Sequence, residues 1–141
     1  MSAYQMVEYG QTTDVFVSRK SRGETLIVGG TGARNPWSRV LSRRCAHLLW
    51  IQLTQILFPE KVRIVMAMAA TTPLRAPEAP TVTSDVTITV KPDGLIEIAG
   101  TSGTRHWGAS LDVDAARQLW IALDLALYPV GWEGSRVVRR Q

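Results

Sequence analysis

Apolar and polar residues alternate along two stretches of the chain, TDVFVSRK at residues 13–20 and SDVTITVK at residues 84–91. This two-residue period predicts half-buried β-strands. A glycine-containing turn and a second apolar stretch follow each of them, TLIVGG at 25–30 and LIEIAG at 95–100. Each pair of stretches is therefore predicted to form a β-hairpin.

Further strands are predicted on both sides of these hairpins. A short third strand carrying a tryptophan follows each hairpin, PWSRVL at 36–41 and HWGASL at 106–111. AYQMVEY at 3–9 precedes the first hairpin, and KVRIVMAMA at 61–69 precedes the second. We predict a first strand in each of these two segments, which gives four strands in each half of the chain.

An apolar helix is predicted to follow each set of strands. Ser42 and Asp112 are the expected N-caps, because their side chains can accept hydrogen bonds from the first free amides of a helix. Each helix is expected to run for about 16 residues and to stop at Pro59 or Pro129, since proline cannot continue it.

The two halves are similar in sequence as well as in pattern. Residues 12–35 align with 83–106, and residues 37–59 align with 107–129, with Pro36 left unpaired. Of the 47 aligned pairs, 18 are identical. The sequence therefore predicts an internal duplication.

These elements predict an α+β fold of two pseudo-symmetric β-β-β-β-α repeats with antiparallel sheets. The first repeat is expected at residues 1–60 and the second at 61–130, with a basic tail at 131–141. The second helix is too apolar for one covered stripe, so we expect it to pack against the first helix, which carries equivalent apolar residues, as identical faces do in an isologous dimer. Any apolar helix surface left over would be an oligomer contact. The proline-rich segment at 71–80 is expected to be a surface connection within one globular body.

The segment LIVGG, followed by PWSRVLS and an apolar helix, carries a resemblance to a known family. It resembles the fold of transcriptional positive cofactor 4 and the Whirly proteins, of which tandem versions occur among small proteins of phototrophic bacteria. The resemblance covers about 120 residues as topology rather than as a residue motif. It implies a sheet surface on which single-stranded nucleic acid lies, in a transcription-regulator-like protein.

Positive charge is concentrated in the first repeat. The chain carries a net charge of +4, but residues 12–59 have a balance of +5 and residues 83–129 a balance of −3. Arg43 and Arg44 stand in the first turn of a helix, where the helix dipole disfavours cations, so a partner is one explanation for keeping them. The candidate nucleic-acid contacts are Arg19, Lys20, Arg22, Arg34 and Arg39 for phosphates and Trp37 for base stacking. An ordinary solvated basic face, with Trp37 in the core, explains the same residues.

The sequence gives little support to catalysis. His47, His106 and Cys45 lack the spacing of metal ligands, and Cys45 is expected to be a buried apolar residue. VGGTGAR at 28–34 is a hairpin turn rather than a phosphate-binding loop, because a strand rather than a helix follows it. We therefore expect a protein that is not an enzyme and that holds no metal or cofactor.

Two functional classes remain open from the sequence. The first is a non-catalytic protein that binds single-stranded DNA or RNA through the basic sheet of the first repeat. The second is a protein-binding adaptor or assembly factor with no nucleic-acid role. One cysteine, no signal-peptide pattern and no apolar run long enough to span a membrane predict a cytoplasmic protein of bacterial type.

Overall fold

The computed structural model describes residues 5–20, 24–70 and 81–128. Over these residues the fold is α+β, with two four-stranded sheets and three α-helices. The strands are β1 Gln5–Gln11, β2 Thr13–Lys20, β3 Thr25–Thr31, β4 Pro36–Ser42, β5 Val82–Thr83, β6 Asp85–Val90, β7 Ile96–Ser102 and β8 Arg105–Leu111. The helices are α1 Arg43–Leu57, α2 Val62–Ala70 and α3 Val113–Leu127, and a short 3₁₀ turn, Pro59–Lys61, joins α1 to α2.

Each sheet is built from three antiparallel strands and one parallel edge strand. The first sheet has the order β2-β3-β4-β5, and the second has the order β1-β8-β7-β6. The edge strand β5 pairs in parallel with β4, and β1 pairs in parallel with β8. Strand β1 thus joins the sheet of the later residues, so the sheets do not follow the expected boundary between residues 60 and 61.

The ends of α1 and α3 agree with the predicted capping residues. The Ser42 side chain accepts a hydrogen bond from the Cys45 amide at 3.1 Å, and that of Asp112 accepts one from the Ala115 amide at 2.7 Å. Each helix contains 15 residues. The first stops two residues before Pro59, because proline lacks an amide hydrogen and its ring obstructs a continuing helix.

The strand predicted at residues 61–69 is wrong, because this segment forms the 3₁₀ turn and helix α2. Its alanines and methionines are strong helix formers. Val65 is the one fully buried residue of α2, and Met68 packs beside the core at the i+3 position. A one-sided contact with α1 therefore selects the helix over the strand.

Both long helices pack against each other and against the sheets. The indole nitrogen of Trp120 donates to the Thr54 hydroxyl at 2.7 Å, and the rings of Trp50 and Trp120 lie 6.2 Å apart. Helix α1 packs on β6 of the second sheet, whereas α3 packs on β2 of the first. Each helix therefore covers the outermost antiparallel strand of the opposite half.

The strand register shows where the two halves differ in length. Gly30 lies opposite Trp37 in the first sheet, and Gly100 lies opposite Trp107 in the second. The sequence alignment instead matches Gly29 with Gly100. Phe16 pairs with Gly29, and its counterpart Thr87 pairs with Ala99, so the one-residue difference falls between β2 and β3 rather than at Pro36.

Candidate nucleic-acid interface

Strand register divides the side chains of the first sheet between its two faces. Val17 pairs with Val28, which is 2% exposed, so this phase of β2 faces the core. Phe16, Ser18 and Lys20 occupy the alternate phase, and successive strand residues point to opposite faces. These three side chains therefore line the face turned away from the core, which we call the outer face of the first sheet.

Phe16 is an exposed aromatic on this outer face. It is 41% exposed and pairs with Gly29 of β3. A Cβ atom at residue 29 would come within 2.9 Å of ring atoms Cε1 and Cζ of Phe16. The Phe16 ring therefore lies against the backbone of Gly29 on the outer face of the sheet. Part of the ring remains exposed to solvent.

The candidate cations do not form one cluster. Arg19 and Lys20 are exposed at the end of β2, on opposite faces of the strand. Arg34 is exposed in the turn between β3 and β4, at the other end of the sheet. Six residues of β3 separate the two ends, or about 20 Å at roughly 3.3 Å per residue. Arg22 lies outside the described residues.

Trp37 and Arg39 face the interior of the molecule. Trp37 is 8% exposed, stacks on Tyr9 with ring centroids 4.5 Å apart, and donates its indole hydrogen to the Thr12 hydroxyl at 3.0 Å. Arg39 is half-buried and donates from Nε to the Tyr9 hydroxyl at 2.8 Å. In this arrangement Tyr9 occupies the ring face that a stacking base would need, and part of the Arg39 guanidinium is already bonded.

Arg43 has a partner within the chain. Its Nη2 donates to the carbonyl oxygen of Leu127 at 2.9 Å, in the last turn of α3. Burial is the main cause that lowers the pKa of the Arg43 guanidinium, and repulsion from nearby Arg19 adds to it. A cation at the start of α1 thus offsets the negative end of the α3 dipole, and its presence needs no external partner.

The outer face of the second sheet has a different character. Thr87 of β6 stands at the position that aligns with Phe16, and it pairs with Ala99 of β7. Glu8 of β1 lies over Gly108, and Glu97 forms an ion pair of 3.5 Å with Lys91. With no aromatic among these residues and two carboxylates, this face is poorly suited to a polyanion.

A half-open groove of about 600 Å³ separates β1 from the turn between β3 and β4. Arg34 and Glu8 are the charged residues that line it. The Ala33 amide donates to the Tyr9 carbonyl at 3.0 Å and so ties the turn to β1. The groove presents one charge of each sign, so its lining does not select an anionic ligand.

The remaining polar groups of interest are buried. Burial raises the pKa of the Cys45 thiol to about 12, so it stays protonated and unreactive near neutral pH. Burial also lowers the pKa of the His47 imidazole, whose Nδ1 donates to the Arg43 carbonyl and whose Nε2 lies 2.9 Å from the Tyr128 hydroxyl.

Residues 5–20, 24–70 and 81–128 contain no group of three or more histidine, cysteine, aspartate or glutamate residues placed to hold a metal ion. Among the helices of those same segments, none has the length and apolar character needed to cross a membrane.

Comparisons of the chain with protein-family models, with curated proteins and with solved structures give no match. The role of each residue therefore rests on its own contacts and chemistry.

Proposed function

We propose that the chain is a non-catalytic protein that binds single-stranded nucleic acid on the outer face of the first sheet. The observation that carries the proposal is the exposed ring of Phe16 lying across Gly29, with Lys20 on the same face. A base stacks on an aromatic ring whatever its identity, and a cation beside it pairs with the phosphate of the same strand. This combination favours binding without sequence preference.

The proposal replaces the stacking residue expected from the sequence. Phe16 takes the role first given to Trp37, whose ring face is covered by Tyr9. Lys20 is the main phosphate contact, and Arg19 and Arg34 extend positive charge to the two ends of the sheet. Since Thr87 replaces Phe16 in the second half, we expect one strand to bind per chain.

The finer fold is part of this proposal. We infer that the two halves are pseudo-symmetric repeats related to the positive cofactor 4 and Whirly fold. Matching hydrogen bonds support this: the indole nitrogens of Trp37 and Trp107 donate to the hydroxyls of Thr12 and Thr83, each at 3.0 Å. The equal lengths of α1 and α3 and their equivalent N-caps support it too.

The test is a titration of a fluorescently labelled single-stranded oligonucleotide at several salt concentrations. Replacing a stacking residue by alanine costs about 1–3 kcal/mol per base, so Phe16→Ala should weaken binding at least fivefold. Lys20→Gln should reduce the salt slope by about 0.7, the value for one phosphate contact with a single strand. Val90→Ala and Arg117→Gln remove an exposed apolar residue and an exposed cation elsewhere, and should leave binding unchanged.

The alternative, a protein-binding adaptor, is favoured by the scatter of the cations over both ends and both faces of the first sheet. The same titration separates the two classes. Absence of binding at low salt, or equal affinities for the wild type and Phe16→Ala, would remove the nucleic-acid proposal and leave the adaptor.

A further inference from the structure

The outer strands of the two sheets differ in how their edges are protected. Helix α3 packs along β2, helix α1 packs along β6, and β5 is two residues long. Strand β1 has seven residues, and within the described part of the chain β8 is the one element with which it makes extensive contact. The Ala33 amide donates to the Tyr9 carbonyl and so closes the outer edge of β1 at its C-terminal end. Over residues 5–8, that edge has no neighbouring strand among those described.

The backbone of this edge presents unused hydrogen-bonding groups. The Thr12 amide donates to the Ser110 carbonyl at 2.8 Å, so Ser110 directs its backbone groups toward β1. Backbone groups alternate in direction along a strand, so the β8 partners of Met6 and Glu8 face β1 as well. Met6 and Glu8 consequently direct both their N–H and their C=O groups away from β8. Within the described segments, no residue forms a hydrogen bond with these four groups.

Val7 belongs to the core phase of β1 and is nevertheless exposed. It pairs with Trp107, which is 1% exposed, so both side chains point to the core face of the sheet. Val7 is 41% exposed and lines the groove between β1 and the turn that joins β3 to β4. The volume of this groove, about 600 Å³, lies within the range of roughly 300–1,000 Å³ that is typical of ligand sites. A strand beside β1 would place an apolar side chain in the groove and cover Val7.

The charges of the groove indicate what such a strand would carry. Arg34 is exposed in the turn, and Glu8 is exposed with its carboxylate over Gly108 on the outer face of the second sheet. Neither charge forms an ion pair with another described residue. Residues of an added strand alternate between the groove and the outer face, so a basic residue next to the apolar one would reach Glu8. A carboxylate at the end nearest the turn would reach Arg34, so the edge is complementary to a strand that carries both signs of charge.

We propose that the outer edge of β1 binds an extended segment of a partner protein as a fifth strand of the second sheet. The backbone of that segment pairs with Met6 and Glu8, and one apolar side chain enters the groove beside Val7. A basic side chain faces Glu8, and a carboxylate faces Arg34. In this mode of recognition the main-chain hydrogen bonds supply affinity, and the pockets for alternate side chains supply specificity.

The inference does not rest on the proposed function. Peptide binding uses the edge of β1 in the second sheet, whereas nucleic-acid binding uses Phe16 and Lys20 on the outer face of the first sheet. Arg34 is the one residue to which both proposals give a role. Phe16→Ala should therefore weaken oligonucleotide binding and leave peptide binding unchanged, so each proposal can fail without the other.

The experiment is a fluorescence-anisotropy titration of short peptides, each carrying a neutral dye, with the full chain. The two probes have the sequence Thr-Val-Thr-Val-Lys-Asp and its reverse, one for each strand direction. Their ends are blocked, so that lysine and aspartate carry the only charges. We expect saturable binding of at least one probe, with a Kd below about 1 mM. Exchanging the lysine and the aspartate of that probe should weaken binding several-fold.

Met6→Pro is the decisive variant of the chain. It removes an N–H that points away from β8, so the ladder between β1 and β8 keeps its hydrogen bonds, and edge strands tolerate proline at such positions. The peptide loses a backbone bond, so its Kd should rise about tenfold. Met6→Thr is the matched control, because it keeps the N–H and should leave the Kd unchanged. The double variant Glu8→Lys with Arg34→Glu should bind the charge-exchanged peptide better than the original.

Circular dichroism establishes that each variant is folded, and the double charge variant provides the test if Met6→Pro unfolds the chain. Three results would overturn the proposal. The first is that neither probe binds the wild type. The second is an equal Kd in Met6→Pro and Met6→Thr, which would place the peptide on another surface. The third is a dimer, detected by sedimentation, that Met6→Pro dissociates while no peptide binds, which would assign the edge to a second copy of the chain.

Discussion

Arg43 offers a sharp test of how the ends of the two long helices interact. Its guanidinium donates to the Leu127 carbonyl at 2.9 Å, and a hydrogen bond from a charged donor contributes about 1.5–3 kcal/mol. A cation at the start of α1 costs roughly 0.3–1 kcal/mol. Arg43→Met removes both effects, so we expect the free energy of unfolding to fall by about 1–2 kcal/mol.

Arg44 is the matched control, because it stands in the same turn and is exposed. Arg44→Met removes an unfavourable cation at the helix start, so the protein should keep or gain up to about 1 kcal/mol. Urea unfolding followed by tryptophan fluorescence measures both changes in the free energy of unfolding. If Arg43→Met were as stable as Arg44→Met, the contact with Leu127 would not stabilise the fold, and the partner-based explanation of Arg43 would regain weight.

Three further predictions concern buried groups. The pKa of His47 is lowered in the folded protein, so the unfolded chain binds the proton more readily and stability should fall as the pH drops through about 6.5 and below. Urea unfolding at several pH values should show a smaller pH dependence in His47→Gln. Thr12→Val and Thr83→Val each leave a buried indole N–H without its acceptor, and each should cost about 1–3 kcal/mol in the same assay. Finally, Cys45, wholly buried and with a pKa of about 12, should react with a thiol reagent near neutral pH at the rate at which the protein unfolds, and added urea should accelerate the reaction.

Local chemistry makes most of the strands and helices predictable from the sequence. The alternation of apolar and polar residues in β2 and β6 predicts strands without knowledge of the tertiary structure. The capping side chains of Ser42 and Asp112 likewise mark the helix starts through local hydrogen bonds. Helix α2 depends instead on a tertiary contact. Its residues fit either a short strand or a helix, and contact along one side with α1 decides between them.

Strand register depends on tertiary structure as well. Matching Gly29 with Gly100 gives more identical residues, but it would turn the side chains of β3 to the wrong face, since a one-residue slip reverses every residue of a strand. The pairing of Gly100 with Trp107 explains the alternative register. A Cβ at residue 100 would overlap the indole ring of Trp107, so a glycine is required opposite that tryptophan.

The candidate site was predictable only in part. The alternation of β2 contains the signal for Phe16, because this aromatic residue stands in the polar phase with Ser18 and Lys20 between two valines of the core phase. The covering of Trp37 by Tyr9 has no such signal. It depends on β1 joining the second sheet, which brings residues far apart in sequence to the junction between the sheets.

The exchange of elements between the halves has a consequence for stability. Strand β1 belongs to the second sheet, α1 covers β6, and α3 covers β2. A break in the chain after residue 60 would separate β2 in the first fragment from α3, and β6 in the second fragment from α1. The rings of Trp37 and Trp107, 5.4 Å apart at the junction, would lose each other as well. Because neither half buries its apolar surface alone, the molecule should unfold as one cooperative unit rather than one repeat at a time.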